Sequence, residues 1–296
     1  MNDERRQGGT ELAKLLLGKE VNSSLNERIK ENAASLKERG IFPCLAIVRV
    51  GEDESDLAYE RTAVKRCETL GVSCRKVVLE KDVPQEKLLG VIEDLNKDDT
   101  VHGVLLFRPL PKHLDAQLIE NALLPEKDVD SMTDLSMSGV FTGKKDLGFP
   151  PCTPQACIEV LDYYGIDCTG KEAVVVGRSL VVGKPVSMML LKKNATVTIC
   201  HTKTADLPAV TQKADILIAA AGKAGVIGEE HVREGQIVID VGINVGKDGK
   251  LCGDVDFEAV SPIVEAITPV PGGIGTVTTS VLISHVVEAA MAAENK

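Results

Sequence analysis

The run Val174-Val175-Val176-Gly177-Arg178-Ser179-Leu180-Val181-Val182-Gly183-Lys184-Pro185 constrains this chain most. Three consecutive valines suit a strand buried on both faces of a parallel sheet. A glycine-bounded loop follows, then a helical pattern with proline near its first turn, where its missing N–H has no helical partner to lose. Strand, glycine loop and helix in that order present backbone N–H groups to a phosphate. On its own the loop is a moderate signal, the competing reading being a tight strand-to-helix turn with no ligand.

The rest of the chain keeps the same rhythm. Residues 10–39 read as a helix closed by Gly40, Cys44 to Val50 as a strand closed by Gly51, and Leu57 to Leu70 as a helix closed by Gly71. Strands at 77–79 and 102–106 flank a helix at 85–96, and Pro109 and Pro111 stop the last of them. Residues 131–152, rich in Gly, Pro, Ser and Thr, read as a linker. Beyond them come strands at 173–176, 196–200, 214–218 and 236–240, a helix at 184–192 and a last helix at about 277–293. This alternation predicts an α/β protein with mostly parallel sheets. With 296 residues there is length for two domains, an N-terminal α/β domain and a C-terminal Rossmann-type dinucleotide-binding domain, with a cleft between them.

Composition removes several functions. The net charge of −10 argues against a nucleic-acid partner, which needs a basic face. No apolar run approaches the ~20 residues of a membrane span, and Met1 to Arg6 lead into no signal-peptide core. The eight cysteines form no Cys-x-x-Cys pair, so no metal site is expected and reduced thiols in a cytoplasmic protein are.

An NAD site would place an acid on the ribose 2′-OH about 20 residues past the glycine loop. There the chain has His201-Thr202-Lys203 instead, and Arg178 lies in the loop itself. Cations and a hydroxyl suit a 2′-phosphate, so the expected cofactor is NADP, with NAD left open. Val241-Gly242-Ile243-Asn244 follows another apolar strand, and its glycine would let backbone approach a ligand. The cofactor-binding candidates are therefore Gly177, Arg178, Ser179, Thr202 and Ile243. Thr268 to Gly275, with two prolines and three glycines, reads as a rigid turn or as a wall of the cleft.

Several runs taken together resemble one family, the methylenetetrahydrofolate dehydrogenase/cyclohydrolases of the FolD type. They are Pro43 to Gly51, Lys127 to Asp130, Pro151 to Pro154, Val176 to Ser179 with Val182 to Pro185, Ala195 to Thr198, Val238 to Asn244, Gly253 to Asp256 and Ile267 to Gly275, spread in family order over nearly the whole chain. The resemblance implies a folate-binding domain of residues 1–149 plus a returning C-terminal helix, 277–296, and an NADP domain of 150–276. It implies a homodimer, tetrahydrofolate derivatives as substrates and no membrane partner. It implies oxidation of 5,10-methylenetetrahydrofolate to 5,10-methenyltetrahydrofolate, followed in bifunctional members by hydrolysis to 10-formyltetrahydrofolate. Tyr59 and Asp130 match the folate-stacking tyrosine and folate-binding acid, and are the catalytic candidates. Pro271, Gly272 and Gly273 join them as substrate-binding candidates.

The chain also departs from that pattern. Four residues after the tyrosine, on the same helix face, the family carries the lysine that assists hydrolysis. Here that position is Ala63, and the glutamine that normally helps hold the lysine is Phe107. Ser131 stands for the glycine after Asp130, and Thr276 and Val277 for a Pro-Met pair. A buried lysine without its hydrogen-bonding partner would be costly, so the joint change is coherent. The expectation is a dehydrogenase whose cyclohydrolase activity is weak or lost. A bifunctional enzyme remains the first alternative, with Lys65 or Arg108 as substitute. Lys65 is poorly placed, since two residues turn a side chain by roughly 200° around a helix. A non-catalytic folate- or NADP-binding protein is the second alternative, and an unrelated Rossmann dehydrogenase the third.

Overall fold

The computed structural model describes residues 13–246 and 248–294. The chain opens with β1 (Lys14–Leu15) and α1 (Gly18–Glu38), then β2 (Cys44–Val50), α2 (Glu54–Leu70), β3 (Ser73–Leu79), α3 (Gln85–Lys97), β4 (Gly103–Leu106), α4 (Ala116–Glu120) and α5 (Asp134–Thr142). It continues with α6 (Cys152–Tyr163), β5 (Glu172–Val176), α7 (Gly183–Lys192), β6 (Thr196–Cys200), α8 (Leu207–Thr211), β7 (Ile216–Ala219) and β8 (Ile237–Asp240). A small hairpin, β9 (Asn244–Val245) and β10 (Leu251–Cys252), precedes α9 (Phe257–Val260), β11 (Ala266–Ile267) and α10 (Ile274–Ala293).

Two parallel sheets result. The first has three strands in the order β3-β2-β4, and the second six in the order β1-β11-β8-β7-β5-β6. Side chains alternate across each strand, as a pleat requires. Leu45 and Ile47 of β2 face the same central core as Ala173 and Val175 of β5 and Ile216 and Ile218 of β7. Ala46 and Val48 face a second cluster under α3, while Val174, Val176 and Leu217 face a third. The central core is shared: α1, α6 and α10 lie in it between the two sheets.

Two expectations need correction. The first helix begins at Gly18, not near residue 10. Residues 13–17 instead carry β1, which pairs with β11 at the edge of the second sheet, and residues 10–12 lie outside the described region. Residues 131–152 are not a plain linker, because α5 occupies Asp134–Thr142. Thr133 caps it by accepting the Ser136 N–H, and Ser136 and Gly139 form its buried side, so small residues replace the usual apolar stripe.

Helix α10 is long and apolar enough to cross a membrane by length and composition alone. In the fold it is a core helix, 72% buried, packed on α1, α6 and α2. Its Ile283 is fully buried at 0% exposure. Ile283→Ala should lower unfolding free energy by about 3 kcal/mol, read from the urea midpoint, because the cavity is closed on all sides.

Candidate functional site

The nucleotide loop leaves β5 at its C-terminal end. Gly177 has φ +141°, and a Cβ there would stand 2.1 Å from the Ala220 carbonyl oxygen, so only glycine fits. A Cβ at Gly183 would stand 2.2 Å from the carbonyl oxygen of Gly177. The loop is thus folded onto itself with no room for side chains at its two ends. Between them the Ser179 hydroxyl accepts the N–H groups of Val182 (3.1 Å) and Gly183 (3.4 Å), while Arg178 points outward, exposed.

Neighbouring strands end on the same edge. After β6, His201 accepts the Lys203 N–H at 3.0 Å, and Thr202 and Lys203 are exposed. After β8, Ile243 is 65% exposed, and its Cδ1 would stand 3.2 Å from a Cβ on Gly275. After β11 come exposed Pro271, half-buried Gly272 and buried Gly273, the last with no room for a Cβ because Pro269 O would stand at 2.6 Å. All five cofactor candidates and the Pro271–Gly273 wall therefore gather at the carboxyl edge of the six-stranded sheet. β5 sits between β6 and β7, so the chain reverses direction across the sheet here, the place where doubly wound sheets bind nucleotides. A carboxylate-free β6 terminus and a glycine cradle suit a dinucleotide bearing a 2′-phosphate.

Tyr59 and Asp130 meet elsewhere, where α2, α6 and α10 converge. The Tyr59 hydroxyl lies at the Thr279 side chain of α10. Burial first, then the fields of Cys152 and Asp130, hold its pKa above the ordinary phenol value, so the ring carries a neutral hydroxyl. The Tyr59 and Phe107 rings lie 5.8 Å apart at 53°. The Cys152 N–H, at the start of α6, donates to Asp130 Oδ1 at 3.0 Å. Cys152 itself is fully buried and its thiol is pushed up by burial and by Asp130, so it is not a nucleophile. Its Sγ donates to the Val129 carbonyl at 3.3 Å. Ser131 holds φ +54°, a left-handed conformation suited to glycine, and its buried hydroxyl has no partner.

The two halves are joined by α10. Its first residue, Ile274, follows Gly273, and Thr279, beside Tyr59, lies five residues further on, about 7.5 Å along the axis. Ala63 is 0% exposed and packs in the core cluster with Phe107, against which Tyr59 rests. Lys65 is exposed and lines a surface groove with Arg61, Arg66 and Thr69. Arg108 faces Glu120 at 3.9 Å and lines a different groove, with Gly51, Asp53 and His113. Sequence reasoning missed Thr279 and the Cys152 amide, whose roles arise only when distant helices meet.

Residues 16–130 match the catalytic domain of tetrahydrofolate dehydrogenase/cyclohydrolase, and residues 151–294 its NAD(P)-binding domain. The chain belongs to the tetrahydrofolate dehydrogenase/cyclohydrolase family. It is 50% identical over 279 residues to the bifunctional protein FolD of Clostridium botulinum (strain Okra / Type B1), covering 94% of this chain and 99% of that one. It is 49% identical to the bifunctional protein FolD of Clostridioides difficile (strain 630), covering 95% and 98%. Among solved structures it superposes on the bifunctional FolD of Campylobacter jejuni with a TM-score of 0.92 at 41% identity, covering 95% and 99%. It also superposes on the Trypanosoma brucei FolD complexed with NADP cofactor and inhibitor, with a TM-score of 0.89 at 30% identity, covering 97% and 100%. Family membership removes the reading as an unrelated Rossmann dehydrogenase. A FolD-family chain with this cradle is an NADP-binding enzyme of one-carbon metabolism.

Proposed function

We propose that this chain oxidises 5,10-methylenetetrahydrofolate to 5,10-methenyltetrahydrofolate with NADP and has lost most of the cyclohydrolase activity of its family. Bound NADP supplies the hydride acceptor. The methenyl cation is left with its charge shared between two nitrogens, so no general base is needed and positioning carries the rate. Tyr59 offers a ring face to the folate, Asp130 its carboxylate, and Pro271–Gly273 a backbone wall from the cofactor side. Gly177, Arg178, Ser179, Thr202 and Ile243 hold the dinucleotide.

One observation carries the loss of hydrolysis. Where the family has a lysine and its glutamine, Ala63 and Phe107 lie 0% and 7% exposed in one apolar cluster with Tyr59 against it. Neither of these side chains can activate water or move a proton, a contribution of ~10²–10⁴-fold where a lysine supplies it. The orientations of Lys65 and Arg108 support neither as substitute. The bifunctional reading is supported by the family match and by the bifunctional relatives from Clostridium botulinum and Campylobacter jejuni, and one assay separates the two. Purified protein given NADP and 5,10-methylenetetrahydrofolate should form NADPH while the methenyl product accumulates. Enzyme-dependent decay of added methenyltetrahydrofolate at a rate matching the dehydrogenase would sink the proposal, and ligand binding with no NADPH formed would favour a non-catalytic protein. The proposal includes a cytoplasmic location and a homodimer, the latter supported by the uncovered Val245 (70% exposed) and Leu251 (51%) of the β9–β10 hairpin.

A further inference from the structure

Behind the cofactor edge sit two buried carboxylates that the chemistry above does not use. Asp254 is 0% exposed and Asp240, the last residue of β8, 4%. Asp254 Oδ2 accepts the Gly222 N–H at 2.8 Å, and its Oδ1 accepts the Lys223 N–H and the Asn244 side-chain amide, both at 2.9 Å. Asp240 Oδ1 accepts the N–H groups of Gly242 (2.9 Å) and Asp254 (3.0 Å), and its Oδ2 that of Val255 (3.0 Å). The Asp240 N–H donates to Thr268 Oγ1 at 2.7 Å, at the head of the segment leading to Pro271.

The packing admits nothing else. A Cβ on Gly253 would stand 1.8 Å from Asp240 Oδ2, and one on Gly242 2.4 Å from Asp254 Oδ1. Both acids are satisfied by neutral donors, with no paired cation among the described residues, and burial pushes the Asp240 carboxyl up to about 6 despite three backbone donors. Two anions placed together in the core are expensive, and a purely structural turn would be served by neutral groups. What they share is the set of loops they tie: the one after β7 (Gly222, Lys223), the one after β8 (Gly242 to Asn244) and the one after β11.

We propose that Asp254 and Asp240 are positioning residues that fix the nicotinamide end of the cofactor for hydride transfer. The phosphates sit at the Gly177–Gly183 loop and the 2′-phosphate at the end of β6. The dinucleotide therefore runs from β6 across β5, and its other end reaches the loops after β7, β8 and β11. Those are the three loops that the two acids hold together. A displacement of about 1 Å there can lower the rate ~10²-fold without touching the adenosine end.

The inference rests on the dehydrogenase reading, and wild-type turnover is the control that tests that reading separately. Asp254→Asn keeps the shape but sets an NH2 group against backbone N–H donors. Its kcat should fall at least tenfold, while the affinity for adenosine 2′,5′-bisphosphate, which fills only the adenosine half, stays within twofold of wild type. Should that variant fail to fold, Asn244→Ala removes one of the three bonds to Asp254 and should show a smaller loss of kcat with the same retained affinity. A kcat within twofold of wild type in the folded variant overturns the assignment. So does a parallel loss of kcat and bisphosphate affinity, which marks general damage to the domain.

Discussion

Gly183→Ala should reduce kcat/KM for NADP by more than ~10²-fold while folate binding persists. The added Cβ would stand 2.2 Å from the Gly177 carbonyl oxygen and 2.4 Å from its carbon, both backbone atoms with no freedom to swing aside. The loop has to open by about 1 Å to admit it, since such contacts need at least van der Waals separation. That opening moves the N–H groups of the first turn of α7 from where a phosphate would meet them, and it breaks the bonds from Val182 and Gly183 to the Ser179 hydroxyl. Overpacking of this kind also costs about 1–3 kcal/mol of stability. Calorimetric titration with NADP and steady-state rates would report it. Unchanged NADP affinity would show that the cradle is not where the phosphates sit.

The opposite kind of result is expected from Ala63→Lys combined with Phe107→Gln: a gain of cyclohydrolase activity of about 10²-fold. Ala63→Lys alone should fail. It sets an ammonium at a position with 0% exposure, beside Phe107 and Tyr59, and an unpaired buried charge costs about 3–5 kcal/mol. Phe107→Gln alone should lose packing and gain no chemistry. The pair supplies the charge together with an amide oxygen to accept its hydrogen bond, so the double variant should be more stable than the sum of the singles predicts. Decay of methenyltetrahydrofolate and denaturant melts of all four proteins measure both statements. Equal hydrolysis by wild type and double variant would mean that water is activated elsewhere.

Much of the fold is legible because its central strands, unlike the edge strands β3 and β6, are buried on both faces. Cys44–Val50 and Glu172–Val176 are short apolar runs bounded by glycine, and they lie where such runs should. Helix α5 is not legible in that way. Its buried face is Ser136 and Gly139, chosen for closeness to Leu147 and the Lys144 carbonyl, so it leaves no apolar period. Nor is β1, two residues long, whose identity depends on β11 some 250 positions away in the chain. The site divides similarly. The glycine loop carries its own signature, as local backbone geometry dictates the residue. The Cys152 amide on Asp130, Thr279 beside Tyr59 and the Asp254 network are contacts between distant segments, and no local pattern announces them.

The shared central core has a consequence for how the molecule comes apart. Leu25 and Ile29 of α1, Cys157 and Leu161 of α6, and Val281 and Leu282 of α10 pack in one cluster with strands from both sheets. Cutting the chain near residue 150 would strip α1 of α6 and α10 and leave an apolar face in water on each fragment. The folate half and the nucleotide half are thus not separable modules. They gain and lose their order together, as one cooperative unit.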